Sequence, residues 1–68
     1  MAKISQKLRE RIRKLRKQRG LTQEALAELA RMDPKSVIEI EGGKRNPTLK
    51  TVTKVASSLR VKLSQLLD

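Results

Sequence analysis

The 68-residue chain has no cysteine, no histidine and no Phe, Tyr or Trp. Without cysteine there is no disulfide framework and no thiolate metal site. Without His, Cys or Tyr, most general acids, bases and nucleophiles are missing. Asp occurs only at Asp33 and Asp68. Glu39 and Glu41 are two apart on a helix, so they point in different directions. This set cannot be assembled into an acid–base pair, an activated nucleophile or a metal cluster. No enzyme, cofactor or metal site is therefore expected. No apolar run approaches the roughly 20 residues of a membrane span. Lys3, Lys7 and Arg9 are not followed by the apolar stretch of a signal peptide. A core without aromatics must come from Leu, Ile, Val, Ala and Met, which suits helices. The length is near the lower limit for one domain without staples. With no repeat, low-complexity segment or linker in view, a single domain over 1–68 is expected.

What the chain has in excess is positive charge. There are 17 Lys and Arg against 7 Asp and Glu, a formal net charge of +10. Nine of the basic residues and only one acid fall in residues 1–20, a net +8 there against +2 in the remainder. An excess this large in a small domain points to a polyanion. The competing readings are a solvated charged face, or a basic amphipathic helix on a membrane or an acidic protein. No aromatic anchor supports the membrane reading.

Apolar spacing predicts five helices and no strand, an all-α fold. Ile4, Leu8, Ile12 and Leu15 recur at four, four and three residues, one face of a helix over 4–19. Gly20 ends it as a left-handed cap. Thr22 is an N-cap, with Leu21 and Leu26 placed for a hydrophobic staple. Leu26, Ala27, Leu29 and Ala30 form the expected buried stripe of a helix ending near Ala30. Asp33 and Pro34 suit the N-cap and first position of the next helix. Its Val37 and Ile40, with Met32, point back at the first. About three residues separate the two helices, so they must cross steeply. Thr48 caps a fourth helix whose expected buried stripe is Leu49, Val52, Val55, Ala56 and Leu59. A short fifth helix, Val61 to Leu67, carries Leu63, Leu66 and Leu67.

The stretch from Thr22 to Glu41 resembles the helix-turn-helix of the phage repressor and Cro family, whose fold is lambda repressor-like. Gln23 opens the first motif helix, and Ala27 is the small residue where the two helices touch. Ile40-Glu41-Gly42-Gly43-Lys44-Arg45-Asn46-Pro47 is close to the family's I-E-x-G-K-R-x-P. The resemblance runs from about Leu8 to Leu67. It departs at Arg31 and Arg60, where the family commonly has Gly. A left-handed backbone there would cost Arg about 1 kcal/mol that Gly avoids.

The resemblance implies roles for particular residues. The base-facing positions of the recognition helix are Pro34, Lys35, Ser36 and Glu39, with Ile38 on the exposed side. Lys35 suits guanine O6 or N7, Glu39 suits cytosine N4, and Pro34 or Ile38 suits a thymine methyl. Glu39 can instead serve only to orient Lys35. Gln23, Lys44, Arg45 and Asn46 fall at phosphate-contacting positions, and the two glycines before Lys44 allow positive φ. Backbone N–H groups near Arg45 and Asn46 are further candidate donors. Arg16 and Glu41 are expected to form a structural ion pair. Leu63, Leu66 and Leu67 are the expected dimer contact. The function implied is a sequence-specific regulator that binds duplex DNA as a homodimer on an inverted-repeat operator, located in the cytoplasm with the nucleoid. A phage repressor or Cro, a restriction-modification controller and an antitoxin all fit; the last would add a toxin protein as partner. The alternative from another class is a protein-binding coactivator module on the same fold.

Overall fold

The computed structural model describes residues 6–67, so the expected start of the first helix at Ile4 lies outside the described residues. Five helices follow in order: α1 Gln6–Gln18, α2 Gln23–Ala30, α3 Pro34–Glu41, α4 Leu49–Ser58 and α5 Leu63–Leu67. No strand occurs among the described residues, and none of these helices is long and apolar enough to cross a membrane.

Short polar side chains start three of the helices. The Thr22 hydroxyl accepts from the Ala25 N–H at 3.0 Å, and the Thr48 hydroxyl accepts from the Thr51 N–H at 3.1 Å. The Asp33 carboxylate accepts from the Lys35 N–H at 2.9 Å, with Pro34 in the first turn, where an N–H would have no helical partner.

One device ends the first four helices. Beyond each of them a residue enters the left-handed region: Gly20 (φ +69°), Arg31 (φ +55°), Gly43 (φ +78°) and Arg60 (φ +59°). The next N–H then reaches back to the helix in every case. Leu21 donates to Arg16, Met32 to Ala27, Lys44 to Glu39 and Val61 to Ala56, at 2.8–3.0 Å. This is the Schellman arrangement, and its following apolar residue normally packs on the helix it closes. Leu21, Met32 and Val61 do pack against the core. Lys44 is the exception, because the chain leaves α3 along the surface. Gly42, offered above as a second positive-φ position, has ordinary helical geometry (φ −83°). The left-handed step is taken by Gly43 alone.

The core is aliphatic. Ile12, Leu26, Ala27, Val37, Ile40, Val52, Val55, Ala56, Leu59 and Leu66 form one buried cluster, with Leu8, Leu15, Leu21 and Met32 partly buried against it. Helix α2 packs on α3 and α4, α1 packs on α3 and α5, and α4 packs on α5. Ala27 has no bulk at the α2–α3 crossing, and the two helices close completely over it.

Three apolar expectations fail here. Leu29 is 56% exposed, because the buried face of α2 is centred near Ala30, flanked by Leu26 and Ala27, and Leu29 lies about 100° round from Ala30. Leu49 is 65% exposed: as the first helical residue it stands one turn ahead of Val52, past the edge of the core. Leu66, assigned to a dimer contact, is 1% exposed. The five-residue α5 turns Leu66 into the gap between α1 and α4 and leaves its neighbour Leu67 outside.

Candidate nucleic-acid interface

The site is built on α3, which is fixed from behind. Val37 and Ile40 are buried on α2 and α1, while Pro34, Lys35 and Ile38 stay exposed. The end of the helix is held by a charge pair. Arg16 Nε donates to Glu41 Oε2 at 2.7 Å and Arg16 Nη2 to Glu41 Oε1 at 3.1 Å. The third branch of the guanidinium, Nη1, donates to the Leu21 carbonyl at 2.8 Å. Only 9% of the Arg16 side chain and 4% of the Glu41 side chain are exposed. This fork ties α1, the turn before α2 and the end of α3 to one point. Its bidentate form fixes orientation as well as distance.

Gln23 joins the same group. Its Nε2 donates to Glu41 Oε1 at 3.2 Å. The residue expected at a phosphate is thus also the fourth member of the α1–α3 network. A primary amide carries two N–H groups, so one bond to Glu41 leaves the second for another acceptor.

The exposed half of α3 carries a second cluster, which includes a residue of the loop. Arg45, expected to meet phosphate, turns back over α3. Its Nη1 donates to Ser36 Oγ at 2.7 Å, and its Nη2 lies 3.2 Å from Glu39 Oε1. Glu39 is therefore oriented by Arg45, four residues beyond the helix end, and not by Lys35. Lys35 is exposed and makes no side-chain bond to any described residue. Of the backbone donors named for the loop, the Arg45 N–H is used: it points at the Glu39 carbonyl at 3.3 Å, as does the Lys44 N–H at 2.8 Å. The Lys44 and Asn46 side chains are exposed. A reading surface results in which Pro34, Lys35 and Ile38 project, while Ser36 and Glu39 are half-buried beneath an arginine.

One residue at this site escaped the sequence reading. Arg9 of α1 crosses to the turn after α3. A Cβ built on Gly43 would stand 2.9 Å from Arg9 Cζ and Nη1. Gly43 thus takes a left-handed backbone, and the Arg9 guanidinium rests in the space that a side chain there would occupy. The sequence signal was the pair of glycines, but nothing in the pattern said which helix approached them.

An α2–α3 pair joined by a short turn, capped at both starts, closed over Ala27 and pinned at its end by Arg16 and Glu41, defines a helix-turn-helix domain. The helix-turn-helix family model matches residues 12–66, and the chain belongs to that family, of the phage repressor and Cro type. The HTH-type transcriptional regulator DdrOP3 of Deinococcus deserti is 36% identical over 62 residues, which are 91% of this chain and 48% of that protein. This chain therefore spans about half the length of that relative. The restriction-modification controller protein C.AhdI of Aeromonas hydrophila has a crystal structure 38% identical in sequence. It superposes with a TM-score of 0.86 over 88% of this chain and 91% of that one. SinR, a master regulator for biofilm formation, has been crystallised in complex with DNA. It is 32% identical, with a TM-score of 0.85 over 90% of this chain and 98% of that one.

Proposed function

We propose that this chain is a transcriptional regulator that reads duplex DNA with α3 in the major groove and binds as a homodimer. The observation that carries the reading is α3 itself. The helix is fixed by Val37, Ile40 and the Arg16–Glu41 fork, and it holds Pro34, Lys35 and Ile38 out to solvent on a chain of net charge +10. A fixed helix that holds Lys35 out to solvent near its N-terminus has the form that a major groove admits.

In this pose Lys35 donates to guanine O6 or N7, and Pro34 and Ile38 meet thymine methyl groups. Glu39 and Ser36 act as a unit held by Arg45, with Glu39 accepting from cytosine N4. Gln23 offers its second amide N–H to a phosphate at the start of α2, where first-turn N–H groups and the positive end of the helix dipole favour an anion. Lys44 and Asn46 contact the backbone from the next loop. The longest dimension of the domain is 31 Å, so one copy reaches about one turn of duplex and places one recognition helix. A single helix covers too few base pairs to select one site in a genome. A two-fold pair covers two grooves about 34 Å apart and demands an inverted repeat. With Leu66 in the core, the contact falls to Leu67, which is 53% exposed, and to the outer edge of Leu63.

Titration of a labelled duplex at increasing salt tests the DNA reading. Four or more phosphate contacts per subunit give a fall of log K with log salt of about −0.9 per contact. A nearly flat titration on every duplex would remove it.

A further inference from the structure

The basic residues of α1 sort by what they face. Arg16 is held by Glu41 and the Leu21 carbonyl. Arg11 Nη1 donates to the Gln65 carbonyl at 3.3 Å, and Arg19 Nε donates to the Leu59 carbonyl at 3.0 Å. These side chains close α1 onto α3, α5 and α4. Arg9 and Arg13 do none of this, and neither has an acidic partner among the described residues.

The two stand four residues apart, so they share one face of α1, one above the other. Like charges at that spacing destabilise a helix, so the fold does not gain from the pair. Arg13 lines an open cleft of about 380 Å³ between the start of α2 and the end of α3, together with Gln23, Ile38 and Gly42. One turn away, the Arg9 guanidinium lies against Gly43. Its Nε is buried and has no hydrogen-bond partner. The fold thus supplies no acceptor for this guanidinium, and its remaining N–H groups are left for an outside one.

We infer that Arg9 and Arg13, with the Gly42–Lys44 turn, form a seat for the sugar-phosphate backbone of duplex DNA, on α1 and outside the helix-turn-helix. The inference rests on the DNA-binding reading above and extends its footprint. The ligand is a phosphodiester, which the planar fork of Arg can grip through two parallel N–H donors. The parts border one another, through the cleft that Arg13, Gln23 and Gly42 share and the contact of Arg9 with Gly43. Gln23 marks the start of α2, Arg13 faces it across the cleft, Arg9 follows one turn along α1, and Lys44 stands beyond Gly43. The carboxylate that lines the cleft, Glu41, is already bonded by Arg16 and Gln23, so its charge does not repel a phosphate unscreened. Glu10 is next to Arg9 in sequence, points round the helix from it, and accepts from Gln6 at 3.5 Å.

The test compares Arg9→Gln, Arg13→Gln and Lys14→Gln in the full chain, by fluorescence anisotropy on a selected site and on a random duplex from about 50 to 200 mM salt. Lys14 carries the same charge on the other side of α1, beside Arg11 and Gln65. Each arginine variant is expected to reduce the salt slope by about 0.9. The affinity lost across that fourfold range then shrinks about 3.5-fold, equally on both duplexes, because a phosphate carries no sequence information. Lys14→Gln is expected to keep the parent slope. Arg9→Lys, which keeps the charge and loses the fork, is expected to keep the slope while binding more weakly. Arg13 is exposed and bonded to no described residue, so its variant carries the test if Arg9→Gln fails to fold. A steep parent with unchanged slopes in the arginine variants, or the same loss from Lys14→Gln, overturns the seat and leaves the DNA reading standing. A flat parent overturns both.

Discussion

Glu41 joins three segments, and removing it measures how much the recognition helix depends on a buried charge. In Glu41→Ala the Arg16 guanidinium keeps its bond to the Leu21 carbonyl and loses both carboxylate bonds. Gln23 loses its acceptor as well. With 9% of the Arg16 side chain exposed, water cannot replace what is lost. Breaking one side of a buried pair costs about 3–5 kcal/mol. At about 0.05–0.15 kcal/mol per residue, a chain of this length holds roughly 3–10 kcal/mol in total. Glu41→Ala is therefore expected to sit near unfolding at room temperature. Glu41→Gln keeps the shape and one amide oxygen, and should lose less. The decisive form is a double-mutant cycle with Arg16→Met and Glu41→Leu, which fills both places with apolar side chains. The double variant should recover most of the stability lost by either single one, because no unpaired charge remains. Urea unfolding followed by far-UV circular dichroism gives each value, with m checked for constancy. Coupling above about 2 kcal/mol is expected. Coupling under about 1 kcal/mol, the range of exposed pairs, would refute the argument that burial makes this pair strong.

Other consequences follow from particular positions. Arg31→Gly and Arg60→Gly should each gain about 1 kcal/mol, since both arginines occupy the left-handed region. In a domain this size that raises the melting temperature by about 4–8 °C; a lowered melting temperature for both would contradict the strain argument. Lys35→Ala should cost about 1–3 kcal/mol on the selected site and much less on random duplex, measured by anisotropy. Gln23→Ala should weaken both alike, and identical patterns for the two variants would undo the division between reader and phosphate contact. Leu67→Glu should leave the circular dichroism spectrum intact and convert dimers to monomers in sedimentation at micromolar concentration. Leu66→Glu should unfold the domain, because it places a charge in the core. A folded, monomeric Leu66→Glu would return that residue to the interface.

Helix starts were legible in the sequence because Thr22, Asp33 and Thr48 announce themselves chemically: a short side chain with an acceptor oxygen, ahead of an apolar period. Helix ends were legible where glycine stands, at Gly20 and at the Gly42–Gly43 pair. Arg31 and Arg60 occupy the same backbone conformation, yet no property of Arg signals it; only the family pattern marked those positions. Periodicity placed Ile12, Leu26, Val37, Ile40 and Val55 in the core, since each belongs to a helix long enough to define a face. It failed at Leu29 and Leu49, which sit at a stripe's margin and at a helix tip. It could not separate Leu66 from Leu67, because five residues make little more than one turn. The contacts of Arg45 with Ser36 and Glu39, and of Arg9 with Gly43, depend on the path of the loop after α3. Residue spacing carries no information on that path.

In the proposed mode of binding, α3 reads duplex DNA as one half of a two-fold pair. Selection of binding sites from a pool of random duplexes, run with the parent and with Lys35→Ala, tests it most directly. The parent is predicted to enrich an inverted repeat whose half-site centres lie about 34 Å apart, one turn of the helix. Lys35→Ala is predicted to relax the choice at one base pair in each half-site and to keep the spacing. A pool that stays random with the parent, or an enriched single half-site bound as tightly as the full repeat, would contradict the claim.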